Sequence, residues 1–97
     1  MNTANLQLEG VYAALAALIN ALRDNGVLSA QELDRTFGVA EAKIASDPAR
    51  QTKLSNANQD AICFPIRFLR LANQTASEGR QLSFAELATL VGQTKTD

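Results

Sequence analysis

Apolar residues recur every three or four positions along much of the chain, which is the spacing of one face of an α-helix. The longest such stretch predicts a helix from Ala4 to Asp24, whose apolar face consists of Leu8, Val11, Tyr12, Leu15, Leu18, Ile19 and Leu22. Alanines fill much of its remaining surface, and polar cover comes mainly from Glu9, Asn20 and Arg23. A helix so thinly covered is expected either at the centre of a bundle or in a dimer interface.

A six-residue motif occurs twice, and each copy follows a glycine. The segment 28–33, LSAQEL, returns as LSFAEL at 82–87, after Gly26 and Gly79 respectively. In both copies a serine precedes a glutamate by three positions, which is the spacing of a helix capping box. A glycine before such a box suits the left-handed conformation that closes the preceding helix. The repeat therefore predicts two helical hairpins.

The second helix is predicted from Ser29 to about Ser46. Its apolar stripe stays in phase through Gly38, although a glycine there could also mark a break. The stripe consists of Leu33, Phe37, Ala40 and Ile44. Asp47 and Pro48 then resemble an N-cap followed by a first-turn proline, so a short helical piece is expected after them.

The third helix is predicted from about Asn56 to Ser77, mostly buried and with a basic edge. Pro65 removes one backbone hydrogen bond within it, so a kink or a late start is expected there. The fourth helix is predicted from Ser83 to about Val91, with residues 92–97 frayed. The fold class expected for this single domain, residues 1–97, is therefore all-α: a four-helix array of two helical hairpins, with the third helix kinked at Pro65.

Composition excludes several kinds of chemistry. The chain has no histidine and one cysteine, so a Ser–His–Asp triad, a Cys–His pair and a His/Cys zinc site are all ruled out. An enzyme would have to work through carboxylates, Lys, Arg or Tyr12, and no pair of carboxylates stands out. We therefore expect no enzyme and no cofactor, and an enzyme that uses carboxylates or arginine is the least favoured alternative. The formal net charge is −1, which gives no overall attraction to nucleic acid or to an anionic membrane. The lone Cys63 fits a reducing cytoplasm, and the apolar run 11–19 is too short to span a bilayer.

Two binding motifs are partly matched in the first hairpin. Asn25, Gly26 and Glu32 fit an EF-hand loop, but Ala21 and Arg23 occupy positions that need carboxylates, so no calcium site is expected.

The segment 32–39, followed by Ile44, resembles a DNA-binding helix-turn-helix. Asp34 stands where that motif needs a small residue, and Glu41 and Asp47 would repel phosphate. Nucleic-acid binding is therefore not favoured, and a divergent helix-turn-helix regulator is the alternative hypothesis.

Arg67 and Arg70 lie one turn apart on the otherwise largely apolar third helix. They could clamp an unknown protein partner. The favoured interpretation is that they pair with Glu9, Glu32 or Glu86 of a neighbouring helix, or face water.

The run 60–67, DAICFPIR, together with the alanine-rich first helix, resembles small helical proteins of soil-type proteobacteria that carry no assigned activity. This resemblance implies an all-α fold and no site residue. The leading hypothesis is a cytoplasmic protein–protein interaction or structural module that forms a homodimer. The proposed dimer face is a two-heptad seam of Leu8, Val11, Leu15, Leu18 and Leu22. If Leu15 is buried in the core, its change to alanine should cost about 2–5 kcal/mol.

Overall fold

A computed structural model describes residues 3–47 and 56–94 of the chain. They form four helices: α1 (Thr3–Asp24), α2 (Ala30–Ser46), α3 (Asn56–Ser77) and α4 (Phe84–Thr94). Within these described ranges there is no β-strand, which confirms the predicted all-α, four-helix arrangement. The short helical piece expected after Asp47 falls outside the described residues.

Of the three connections between consecutive helices, the two that the structure describes in full close on a glycine in the left-handed conformation. The φ angle is 71° at Gly26 and 80° at Gly79, a region that side-chain-bearing residues rarely occupy. Each turn has the pair of hydrogen bonds of a Schellman motif. The N–H of Gly26 donates to Arg23 (3.1 Å), that of Val27 to Leu22 (2.9 Å), that of Gly79 to Ala76 (3.0 Å) and that of Arg80 to Thr75 (2.8 Å).

The two predicted capping boxes are both present. The backbone N–H of Glu32 donates to Ser29 Oγ at 3.0 Å, and the N–H of Ser29 donates to Glu32 Oε1 at 2.8 Å. The corresponding distances between Ser83 and Glu86 are 3.1 and 2.8 Å. Hydrogen bonding to the serine backbone and side chain lowers the pKa of both glutamates. The repeated motif therefore starts the second helix of each hairpin.

The helix boundaries follow the prediction closely, with two differences. Helix α2 continues through Gly38, as its in-phase apolar stripe predicts. Helix α3 begins at Asn56, as predicted, and continues through Pro65, so the alternative of a late start at the proline is wrong. A kink at Pro65 stays a prediction. Helix α4 runs beyond the predicted end at Val91 to Thr94, so the expected fraying from Gly92 onward is wrong for residues 92–94.

Helix α3 is the centre of the fold, where it packs most extensively on α2 and also contacts α1 and α4. The buried core consists of Ile19, Leu33, Phe68, Leu69, Leu87 and Val91, and Cys63 is buried as well. Ile19 is the one fully buried side chain of α1. Of the two alternatives for α1, the central position in the bundle is therefore wrong, because α3 presents apolar residues to three neighbours and α1 lies at the edge.

Candidate functional site

Five large apolar side chains of α1 are exposed. Leu6, which is 51% exposed, lies on the opposite side of the helix at about 100° per residue, and the other four share one face. The exposed fractions are 52% for Leu8, 50% for Val11, 40% for Leu15 and 60% for Leu18. We call these four residues the α1 seam. The fifth predicted member of the dimer face, Leu22, instead packs against the core and is half-buried. The core interpretation of Leu15 is wrong, so the stability loss expected for a buried leucine does not apply to it.

The α1 seam is exposed because α1 has two apolar faces and the rest of the fold covers one. Tyr12, Ala16 and Ile19 pack against the core. At about 100° per residue, this core face lies roughly a quarter turn around the helix from the seam. A helix at the edge of a small domain can bury one such face, and the second is left to solvent or to a partner.

The surface around the seam carries almost no charge. Between Thr3 and Leu22 the only charged residue is Glu9. Next to the seam runs an exposed row of small residues, Gly10, Ala14, Ala17 and Ala21. A continuous apolar surface of this length on a small protein is typical of an interaction site.

Arg67 and Arg70 belong to a network of ion pairs between α2 and α3. Arg67 Nε lies 2.8 Å from Glu41 Oε2, and its Nη1 lies 3.2 Å from Asp60 Oδ1. Arg70 binds both oxygens of Asp34, at 2.9 and 3.1 Å, and its Nη1 reaches Glu41 Oε1 at 3.2 Å. Glu41 therefore bridges the two guanidinium groups. The expected partners Glu9, Glu32 and Glu86 are wrong.

These contacts favour the ionised forms of the side chains in the network. The hydrogen bond from Arg70 lowers the pKa of the Asp34 carboxyl, and the carboxylates Glu41 and Asp34 raise the pKa of Arg67 and Arg70 respectively. The side chains of both arginines are about one-third exposed, 30% and 36%. Their guanidinium groups already bind carboxylates within the chain, so binding a protein partner would have to compete with these ion pairs. A role in clamping a partner stays a prediction.

The Asp34–Arg70 pair predicts a loss of stability in acid. The folded-state pKa of Asp34 lies below its ordinary value of 3.8. The ionised carboxyl therefore contributes its full stabilisation of the fold at pH values above 3.8, and this stabilisation is lost as the pH falls through the lower, folded-state pKa. We expect Asp34→Asn to be less stable than the unmodified protein at neutral pH, and the difference to shrink as the pH falls below 3.8. Thermal unfolding followed across this range tests it. A difference that stays constant with pH would contradict the assignment.

A buried polar group joins α1, α2 and α3. Asn73 is 2% exposed, accepts a hydrogen bond from Arg23 Nη1 at 2.9 Å, and donates from Nδ2 to the carbonyl of Ala30 at 2.9 Å. Arg23 Nη2 also donates to Asn20 Oδ1 at 2.7 Å. We call this set the Asn73 junction. This junction was not predicted, and the sequence offers one signal of it, an asparagine among the apolar residues of the third helix.

The described residues lack the features that a helix-turn-helix, a metal site or a membrane span would need. Helix α2 is unbroken over residues 30–46, so the helix-turn-helix match has no turn at Gly38 and no separate recognition helix after it. Among the described residues, no three His, Cys, Asp or Glu side chains are grouped to hold a metal ion. Likewise, none of the four described helices combines the length and apolar character needed to cross a membrane.

Comparison with known proteins adds no further assignment. No protein-family model, curated protein or solved structure matches the chain. The α1 seam is therefore the best-defined candidate site, on the grounds of its exposure and its surroundings alone.

Proposed function

We propose that the protein is a non-catalytic, cytoplasmic protein–protein interaction module that works as a homodimer through the α1 seam. The observation that carries the proposal is the exposure of four large apolar side chains at heptad spacing on a helix that is otherwise almost uncharged. The cytoplasmic location is proposed because the one cysteine of the chain cannot form an internal disulfide.

The apolar surface left on the α1 seam supplies part of the free energy that a dimer needs. Fully burying a leucine or valine contributes about 1.5–3 kcal/mol, so burying the exposed half of eight such side chains across two copies contributes about 6–12 kcal/mol. Association costs about 4–15 kcal/mol. The seam alone therefore comes close to offsetting this cost, and a stable dimer needs the neighbouring surface of α1 as well.

The composition of the surface favours a second copy over other occupants. Residues 3–22 contain no lysine or arginine, which helices lying on membrane surfaces use to bind lipid headgroups. Glu9 is the single charge available to select a partner of different sequence. A row of large side chains beside a row of small ones can instead pack against its own copy, as a twofold-symmetric interface requires.

Sedimentation equilibrium of the unmodified protein at high micromolar concentration tests this proposal, and we expect the mass of a dimer. The variant Leu18→Ala should weaken the dimer at least tenfold, because it removes the most exposed seam side chain from both copies. Val39→Ala is the matched control, since Val39 is 52% exposed but lies on α2, and it should dimerise like the unmodified protein.

Two results would contradict the proposed dimer. The first is a monomer mass for the unmodified protein throughout the concentration range. The second is a dimer that Leu18→Ala and Val39→Ala weaken equally, which would place the interface outside the α1 seam. Because Leu18 is exposed in the single chain, far-ultraviolet circular dichroism of its variant should show unchanged helix content.

A further inference from the structure

The position of the α1 seam relative to the core restricts how two copies can pair. The remaining helices attach to α1 mainly on the face of Tyr12, Ala16 and Ile19, and near its C-terminal end also through Leu22, beyond the last seam residue. This face is turned by roughly 90° from the seam, at about 100° per residue. We call α2, α3 and α4 together the body of a chain. When a second helix docks on the seam, the body of the first chain therefore lies beside the two paired helices, on one side of them.

The other flank of the seam is made of small side chains. Ala14 and Ala21 are exposed there, and they lie one heptad apart on the side of the seam opposite to the core face. Alanine side chains allow another structural element to approach the helix backbone closely. The two flanks of one seam therefore differ. The body of the same chain covers one flank, and the other flank is exposed and consists of small side chains.

Parallel and antiparallel pairs use these flanks differently. In an antiparallel twofold pair, equivalent flanks of the two helices lie side by side, so both bodies fall on the same side of the helix pair. Helix axes that pack at about 8–10 Å leave little room there for two domains. In a parallel pair the twofold axis runs along the helices, and the bodies fall on opposite sides. The body of each copy then covers the small flank of the other.

We infer that two copies pair with their α1 helices parallel, seam against seam, and that Ala14 and Ala21 of each copy face the body of the other. The inference rests on the proposed homodimer and specifies its geometry. In this arrangement Leu8 lies opposite Leu8 of the second copy, and Leu18 opposite Leu18. The body contacts supply the additional buried surface that the seam alone lacks.

Disulfide trapping tests the direction of pairing. The variants Leu8→Cys and Leu18→Cys are each oxidised under mild conditions in the full-length protein, at a concentration where the variant itself, kept reduced, has the dimer mass. We expect each variant alone to form a covalent dimer. In the antiparallel register that matches all four seam residues, positions 8 of the two copies lie about 15 Å apart along the helices. That distance is too great, because a disulfide needs Cα atoms within about 7 Å.

Two controls accompany the trapping. The unmodified protein should stay unlinked, because Cys63 is 2% exposed. Ala13→Cys should also stay unlinked, because Ala13 is exposed on the side of α1 opposite the seam. A covalent dimer that forms only when Leu8→Cys and Leu18→Cys are mixed would overturn parallel pairing and keep the proposed homodimer. No covalent dimer from any combination, in a protein with the dimer mass, would overturn pairing through α1. A monomer mass would remove the homodimer itself.

Discussion

Phe68→Ala is expected to lower the free energy of unfolding by about 3–5 kcal/mol, the range measured for truncating buried aromatic side chains. Phe68 is 3% exposed. Its ring centroid lies 4.9 Å from that of Tyr12 and 5.0 Å from that of Phe84. The side chain therefore joins α1, α3 and α4 at one point, and its removal leaves a cavity that all three helices line. For a small domain, whose total stability is about 5–15 kcal/mol, this loss is large.

Urea unfolding monitored by circular dichroism measures this change. Leu18→Ala serves as the control at a protein concentration low enough for the monomer, because it shortens an apolar side chain that is 60% exposed. Its expected loss is under about 1 kcal/mol. Equal losses for the two variants would contradict the assignment of Phe68 to the core.

Asn73→Ala should cost about 2–4 kcal/mol, the second-largest effect expected on folding. Each buried polar group left without its partner costs about 1–3 kcal/mol, and more when the group is charged. Without Asn73, the guanidinium of Arg23 loses an acceptor in a site where the Arg23 side chain is 14% exposed. The carbonyl of Ala30, at the start of α2, loses a donor as well.

The adjacent residue provides a matched control for the Asn73 junction. Gln74 is exposed, so Gln74→Ala should change stability by less than about 0.5 kcal/mol. Arg23→Met removes the other partner of the hydrogen bond between Arg23 and Asn73, because it deletes the guanidinium and keeps the apolar part of the side chain. A double variant of Asn73 and Arg23 should lose less than the sum of the two single losses, because both break the same hydrogen bond. Strict additivity would show that the contact contributes nothing.

The helices and turns of this fold could be predicted from the sequence because each depends on neighbouring residues. The spacing of Ser29 and Glu32, and of Ser83 and Glu86, is enough to form the capping boxes. The glycines at 26 and 79 adopt the positive φ that closes the preceding helix. Gly38 left two possibilities, and the in-phase apolar stripe indicated the correct one, a continuous α2.

Pairing between distant residues could not be predicted in the same way. Arg67 and Arg70 were placed correctly on α3, but their partners proved to be Glu41, Asp34 and Asp60. Any exposed carboxylate on a neighbouring helix satisfies the same chemistry. The choice among them depends on how α2 lies on α3, which is set by the packing of the whole core.

Local sequence patterns specify that the described residues form helices, where these begin and approximately where they end, and that α1 is apolar around most of its circumference. Packing of α1 against α3 and α4 sets which of its faces the core covers. It buries Ile19 and leaves Leu8, Val11, Leu15 and Leu18 exposed. Periodicity cannot separate two apolar faces of one helix, because both gain equally from leaving water. The side that packs is selected by the shape of α3 and its neighbours, and the other is left for a partner.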